Sequence, residues 1–189
     1  MTKWLGRLLR GLHADARHLA WNSPIAANAP ISLRLSSSAF EAGGAIPRRH
    51  AGRPIGDNVS PALSFSGVPA HAAELVLIVE DVDAPIPRPF VHAIAFAIPN
   101  DASGIAEDHL SDPIGARNDG FRLGKNSFGK TLYAGPRPIP GHGPHTYVFQ
   151  LFALDRRLSF TSPPRKRALL AQMDGAVIAR AKLDGTYER

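Results

Sequence analysis

The hydrophobic positions of this chain change their period near residue 31. Over residues 1–20, Trp4, Leu5, Leu8, Leu9, Leu12, Ala16 and Leu19 recur at helical spacing, with Lys3, Arg7, Arg10 and Arg17 on the opposite arc. That pattern predicts an amphipathic helix. Its apolar arc is expected to lie against protein, either its own domain or a second copy in a homodimer. Residues 22–30 (NSPIAANAP) read as a turn-rich linker. The chain therefore divides into a helix and linker, 1–30, and a body, 31–189.

In the body the period falls to two. Ile31, Leu33 and Leu35 alternate with Ser and Arg, and Leu63 and Phe65 alternate with serines. Residues 75–79 (LVLIV) are apolar on both faces, as in a central strand. Strict alternation over 91–98 puts His92, Ile94, Phe96 and Ile98 on one face, and over 145–154 it groups His145, Tyr147, Phe149 and Leu151. Spacers rich in Gly, Pro and Asp separate these runs. After Ser162-Pro163-Pro164, the residues Leu169, Leu170, Met173, Val177 and Ile178 form a helical stripe with Gly175 inside it, and KLDGTYER reads as a short closing strand. The fold class is mainly β: an antiparallel, Greek-key-like β-sandwich with a few short helices, one of them near the C-terminus.

Composition narrows the function classes. The 189 residues include 17 Gly and 17 Pro and no Cys, which removes disulfides, thiolate metal sites and a cysteine nucleophile. The net charge of +6 is spread over pairs and triplets of Arg and Lys rather than one face. With no recognition motif and only 7% aromatic residues, nucleic acid is not an expected partner. No apolar run is long enough to span a bilayer. Arg7 and Arg10 interrupt what would be the apolar core of a secretory signal, so the expected location is cytoplasmic.

Three segments place polar groups where a β core would reject them. Asp81 and Asp83, in DVDAP, follow the buried strand and by alternation point to the side of Leu75, Leu77 and Val79. Asp before Pro also suits a strand-ending Asx turn. His92 sits on an apolar strand face, where a hydrogen-bonded core histidine is the commoner outcome. The stiff loop GPRPIPGHGP (135–144) leads into His145 and Tyr147. Together these describe a polar pocket at one end of the sandwich, suited to an anion held by imidazole and phenol donors that carboxylates orient. Charged imidazoles would tighten anion binding as the pH falls from about 8 to 6. The alternative is a metal-assisted hydrolase built on Asp81, Asp83, His92 and His145. No nucleophile signature accompanies them, so no enzyme activity, catalytic residue, metal or cofactor is expected.

The motifs SSAFEAGGAIPRRHAG (37–52), DNVSPALSFSGVP (57–69), DVDAP (81–85), His92, GHGPHTYVFQLFALD (141–155) and DGTYER (184–189) occur in this order. In that order and spacing the chain resembles the phosphatidylethanolamine-binding protein family, also called Raf kinase inhibitor proteins, in its bacterial branch. The resemblance runs from about Leu33 to Arg189. It implies a pocket for phosphate or phospholipid head groups at Asp81, Asp83, Pro85, His92, Pro138, His145 and Tyr147, a cis Ala84–Pro85 bond, and a protein target such as a kinase or protease. Two positions depart from the family pattern. Thr146 stands where an arginine is usual, and Phe90-Val91 where tryptophans are usual. By strand alternation residue 146 points away from His145, so altered support rather than a lost pocket is expected.

Overall fold

The computed structural model describes residues 3–189. In chain order the elements are α1 (Lys3–Leu9), α2 (Pro24–Ala27), β1 (Arg34–Ser37), β2 (Leu63–Ser66), β3 (Glu74–Asp81), β4 (Phe90–Ile98), β5 (Gly104–Ile105), α3 (Pro113–Asn118), β6 (Arg122–Leu123), β7 (His145–Leu154), α4 (Lys166–Met173) and β8 (Val177–Tyr187). The strands form two antiparallel sheets, β1-β2-β5 and β6-β4-β3-β7-β8. The fold class read from the alternation is the one observed, and β3, apolar on both faces, is the central strand of the larger sheet.

The larger sheet has a core on each face. Its inner face sends Leu75, Leu77, Val79, Phe149 and Leu151 against Leu63, Phe65 and Ile105 of the smaller sheet. Its outer face sends Val76, Ile78, Ile94, Phe96 and Phe152 against Ala20, Ala26, Leu169 and Met173. Burial on both sides is why β3 shows no alternation in sequence.

β4 departs from strict alternation at two places, and both correct the sequence reading. Val79 pairs with Ala93 while the next residue, Glu80, pairs with Val91, so His92 is an extra residue in the ladder. A β-bulge of this kind turns two successive side chains to one face. Val91 and Ile94 face outward, and His92 is swung from the expected Ile94–Phe96 face to the inner side, onto Tyr147. A second irregularity at Ala97, with φ 56°, sends Ile98 to the inner core, away from Phe96.

The N-terminal reading also changes. The helix stops at Leu9 because the chain straightens to pair with the 82–87 loop: Ala14 N–H donates to Val82 C=O and Asp15 N–H to Pro87 C=O. Asp15 then caps a 3-10 turn at Ala16–His18, its side chain accepting from Arg17 N–H. Consequently the apolar arc is split. Leu19 is buried, whereas Trp4, Leu8 and Leu12 are exposed and not covered by the body. The 22–30 segment is not a free linker, since Trp21, Ala27 and Ala29 carbonyls accept from the Arg180 guanidinium on β8. At the other end, α4 finishes at Met173, and Gly175 takes φ 67° in the turn that follows. Val177 and Ile178 therefore belong to the 11-residue β8, not to the helix stripe.

Candidate functional site

The end of β3 and the start of β7 lie side by side, with Asp81 directly opposite Tyr147. The bulge in β4 brings His92 to the same place. Its ring meets that of Tyr147 edge-on at 5.0 Å. These three strand ends form one wall of a cavity of about 820 Å³, and the 133–139 segment forms another. Asp81, Pro85, His92, Pro138 and His145 line it, so five of the seven expected site residues meet there.

Two do not. Asp83 is drawn out of the cavity by other partners: its Oδ2 accepts from Thr146 N–H at 2.7 Å, and its Oδ1 lies 3.1 Å from His13 Nδ1. It serves as the Asx-turn partner of Asp81, whose Oδ1 accepts from Asp83 N–H at 2.8 Å. Tyr147 lies behind the His92 ring. Its hydroxyl is buried without a hydrogen-bond partner, and burial together with the nearby Asp81 carboxylate pushes its pKa up. The cis bond expected at Ala84–Pro85 is also absent. The cis peptide among the described residues is Arg53–Pro54. Ile86 N–H closes onto Ala84 C=O at 2.7 Å, a three-residue turn whose central position suits a trans proline.

The histidines have distinct roles, and hydrogen-bond chemistry fixes them. His145 Nδ1 is 2.8 Å from Asp81 Oδ2, and its Nε2 is 2.9 Å from His142 Nδ1. His142 Nε2 in turn lies 3.2 Å from the Leu12 carbonyl oxygen. A carbonyl can only accept, and so can an ionised carboxylate. Three bonds in a row between two acceptors need three protons, one more than two neutral imidazoles carry. The Asp81–His145–His142 row is thus complete only when it holds that third proton, which leaves it neutral as a unit. Both nitrogens of His145 are spent in it. The sequence had offered His142 only as part of a loop; its spacing of three from His145 was the available signal.

His92 is different. Its Nδ1 donates to the Ala134 carbonyl, so in the neutral ring Nε2 holds a lone pair. That Nε2 stands 4.0 Å from Asp81 Oδ2 and is open to the cavity. Burial pushes the His92 pKa down, against an opposing pull from the Asp81 carboxylate and the Ala134 bond; the neighbouring His145 adds to the lowering. Burial therefore favours the neutral His92 ring at pH 7. Asp81 is the one carboxylate among the described lining residues, whereas Arg53, Lys130 and Arg137 add positive charge. Phe90 and Phe128 form an aromatic wall, 4.8 Å between ring centres. Among the described residues no three His, Asp or Glu side chains converge as a metal site.

The sequence model of the phosphatidylethanolamine-binding proteins matches residues 36–188. The chain belongs to the phosphatidylethanolamine-binding protein family. A UPF0098 protein of Methanothermobacter thermautotrophicus is 40% identical over 157 residues, which cover 83% of this chain and 99% of that one. The crystal structure of the phosphatidylethanolamine-binding protein homolog CT736 from Chlamydia trachomatis superposes with a TM-score of 0.74 at 36% identity, covering 84% of this chain and 98% of CT736. Escherichia coli YbcL, described as a member of the mammalian PEBP family, gives 0.76 at 26% identity, covering 84% and 99%. Every cavity-lining residue lies within the family match. Leu12 and His13, which reach His142 and Asp83, lie before it.

Proposed function

We propose that this member of the family is a binding protein whose cavity takes a phosphate group, free or carried by a phospholipid head group, and that it acts in the cytoplasm without catalysing turnover. The observation that carries the reading is His92. A buried imidazole with one nitrogen fixed on Ala134 and the other open to a cavity becomes a charge-assisted donor once it takes up a proton. Arg53, Lys130 and Arg137 favour the anion's approach. A protein target, a kinase as the family's alternative name suggests or a protease, is a second level of the same proposal.

Calorimetric titration of phosphoethanolamine and of inorganic phosphate tests it. Phosphate should bind with proton uptake, seen as a dependence of the heat on the buffer's ionisation enthalpy. His92→Ala should weaken binding by about 1.5–3 kcal/mol, roughly 10- to 150-fold. Equal affinity of the wild type and His92→Ala would place the ligand elsewhere.

A further inference from the structure

Helix α1 lies on the body by an unusual side. Gly6 is its one buried residue. A Cβ at Gly6 would come within 2.1 Å of the Pro140 carbonyl oxygen, so the helix backbone rests directly on the 140–142 turn. Arg10 Nη2 reaches the Gly141 carbonyl at 3.4 Å, and the Leu12 carbonyl engages His142. This anchoring fixes the rotation of the helix. Trp4 and Leu8, one turn apart, point away from the Gly6 side, and Leu12 follows them just beyond the helix. The three are 63%, 71% and 54% exposed.

An apolar face turned outward while a glycine is turned inward needs an occupant other than the body. Charge indicates which. Residues 3–14 contain Lys3, Arg7 and Arg10 and no Asp or Glu, and all three cations are exposed. Lys3 and Arg7 border the apolar face on one side. An aromatic and two leucines flanked by unopposed cations match the interface of an anionic bilayer, where indole and leucine enter the acyl boundary and the cations meet phosphates. No helix among the described residues is long and apolar enough to cross a membrane, so contact would be peripheral. We infer that α1 is a surface anchor that docks the protein on anionic phospholipid membranes through Trp4, Leu8 and Leu12. The anchor sits on the turn that follows Pro138 and Ile139 of the cavity rim. The inference stands on α1 alone and does not require that the cavity bind phosphate.

Co-sedimentation of the full chain with phosphatidylcholine vesicles, with and without phosphatidylglycerol, tests it. The protein should pellet with the mixed vesicles and remain in solution with pure phosphatidylcholine. Trp4 fluorescence should shift to the blue on binding, while Trp21, stacked 4.0 Å beneath the Arg180 guanidinium, stays as a constant background. The triple variant Trp4→Ser, Leu8→Ser, Leu12→Ser keeps the net charge and should bind at least about tenfold more weakly. Replacing Lys3 and Arg7 by Gln should have an effect of about the same size. Excess phosphoethanolamine, at matched ionic strength, should leave the pelleting of the wild type unchanged. Three results would overturn the inference: equal pelleting by the triple variant, which means adsorption by diffuse charge; release from the vesicles by excess phosphoethanolamine, which means capture by the cavity; or a dimer in sedimentation velocity that the triple variant converts to monomer, which means a second copy covers the face.

Discussion

Glu80 and Asp81 are neighbours on β3, both buried, and they face opposite ways into two different polar clusters. On the outer face, every strong group around Glu80 is matched. Its Oε2 accepts from Ala20 N–H at 2.9 Å and Gln150 Nε2 at 3.0 Å, and its Oε1 meets the Lys166 ammonium. Gln150 Oε1 accepts from Trp21 N–H at 2.6 Å, and the Arg180 guanidinium serves three carbonyls of residues 21–29. On the inner face, His92 Nε2 lacks a close partner and a cavity adjoins it, while the Tyr147 hydroxyl behind it has no partner. Burial of a polar residue is therefore a poor marker of function by itself. The informative quantity is hydrogen-bonding capacity left unused beside open space. The outer cluster fastens the N-terminal segment to the sheet; the inner one leaves the second nitrogen of His92 without a close partner beside the cavity.

The sharpest way to break this contrast is to damage the matched cluster. Glu80→Ala leaves the Lys166 ammonium, the Ala20 N–H and the Gln150 amide without their acceptor. Removing one partner of a buried charge pair costs about 3–5 kcal/mol. Urea denaturation should show a loss of that size, while the phosphate affinity of the folded fraction stays unchanged. Lost affinity with intact stability would mean that the two faces are not separable.

His142→Leu probes the border between the clusters. It removes the bonds to His145 Nε2 and the Leu12 carbonyl, leaving a buried imidazole nitrogen unpaired. A cost of about 1–3 kcal/mol follows. The loss should be local as well as global, because residues 10–14 are held by only a few such contacts. Amide exchange at Ala14, whose N–H donates to Val82, should accelerate more than exchange in β3. Uniform acceleration would show that the N-terminal segment and the sheet open as one unit.

The same contrast explains what was legible in the sequence. β3 and β7 were readable because long apolar runs and clean alternation are local signals, and the DVDAP and GHGPHTY segments end or begin those strands. The outer cluster was invisible because its members come from residues 18–29, 80, 150, 166 and 180, and no local pattern joins them. His92 was singled out as a site residue but assigned to the wrong face, because one extra residue in β4 inverts the alternation on which the assignment rested. The break of the N-terminal helix after Leu9 was hidden for a related reason. Apolar spacing continues to Leu19, but the backbone of residues 14 and 15 is claimed by the 82–87 loop. The end of α4 was misread because Val177 and Ile178 fit both a helical stripe and the start of a strand, and only pairing of Val177 with Leu154 decides it.

The smallest expected effect is a dependence of stability on pH that belongs to the inner cluster. Folding lowers the His92 pKa below its ordinary value of 6.5. Above about pH 7.5 the ring is neutral in both the folded and unfolded chain and contributes nothing. As the pH falls through 6.5 the unfolded chain takes up the proton first, so the folded state loses stability by at most about 1.4 kcal/mol per pH unit. Asp81 and His145 face the ring from β3 and β7, and Arg53, Lys130 and Arg137 line the same cavity, so the His92 contribution has to be separated from the rest. His92→Gln isolates it, because an amide N–H can still donate to Ala134 and does not titrate. The difference in stability between wild type and His92→Gln should shift against the wild type between pH 7 and 5.5; a constant difference would mean that His92 is not held neutral. Saturating phosphate should reverse the sign. A bound anion favours the imidazolium, so the stabilisation conferred by ligand on the wild type should grow as the pH falls through the same range, and His92→Gln should not show that growth. Opposite slopes in the empty and filled protein would tie the unused nitrogen of His92 to the ligand. No residue of the fully matched outer cluster could produce that reversal.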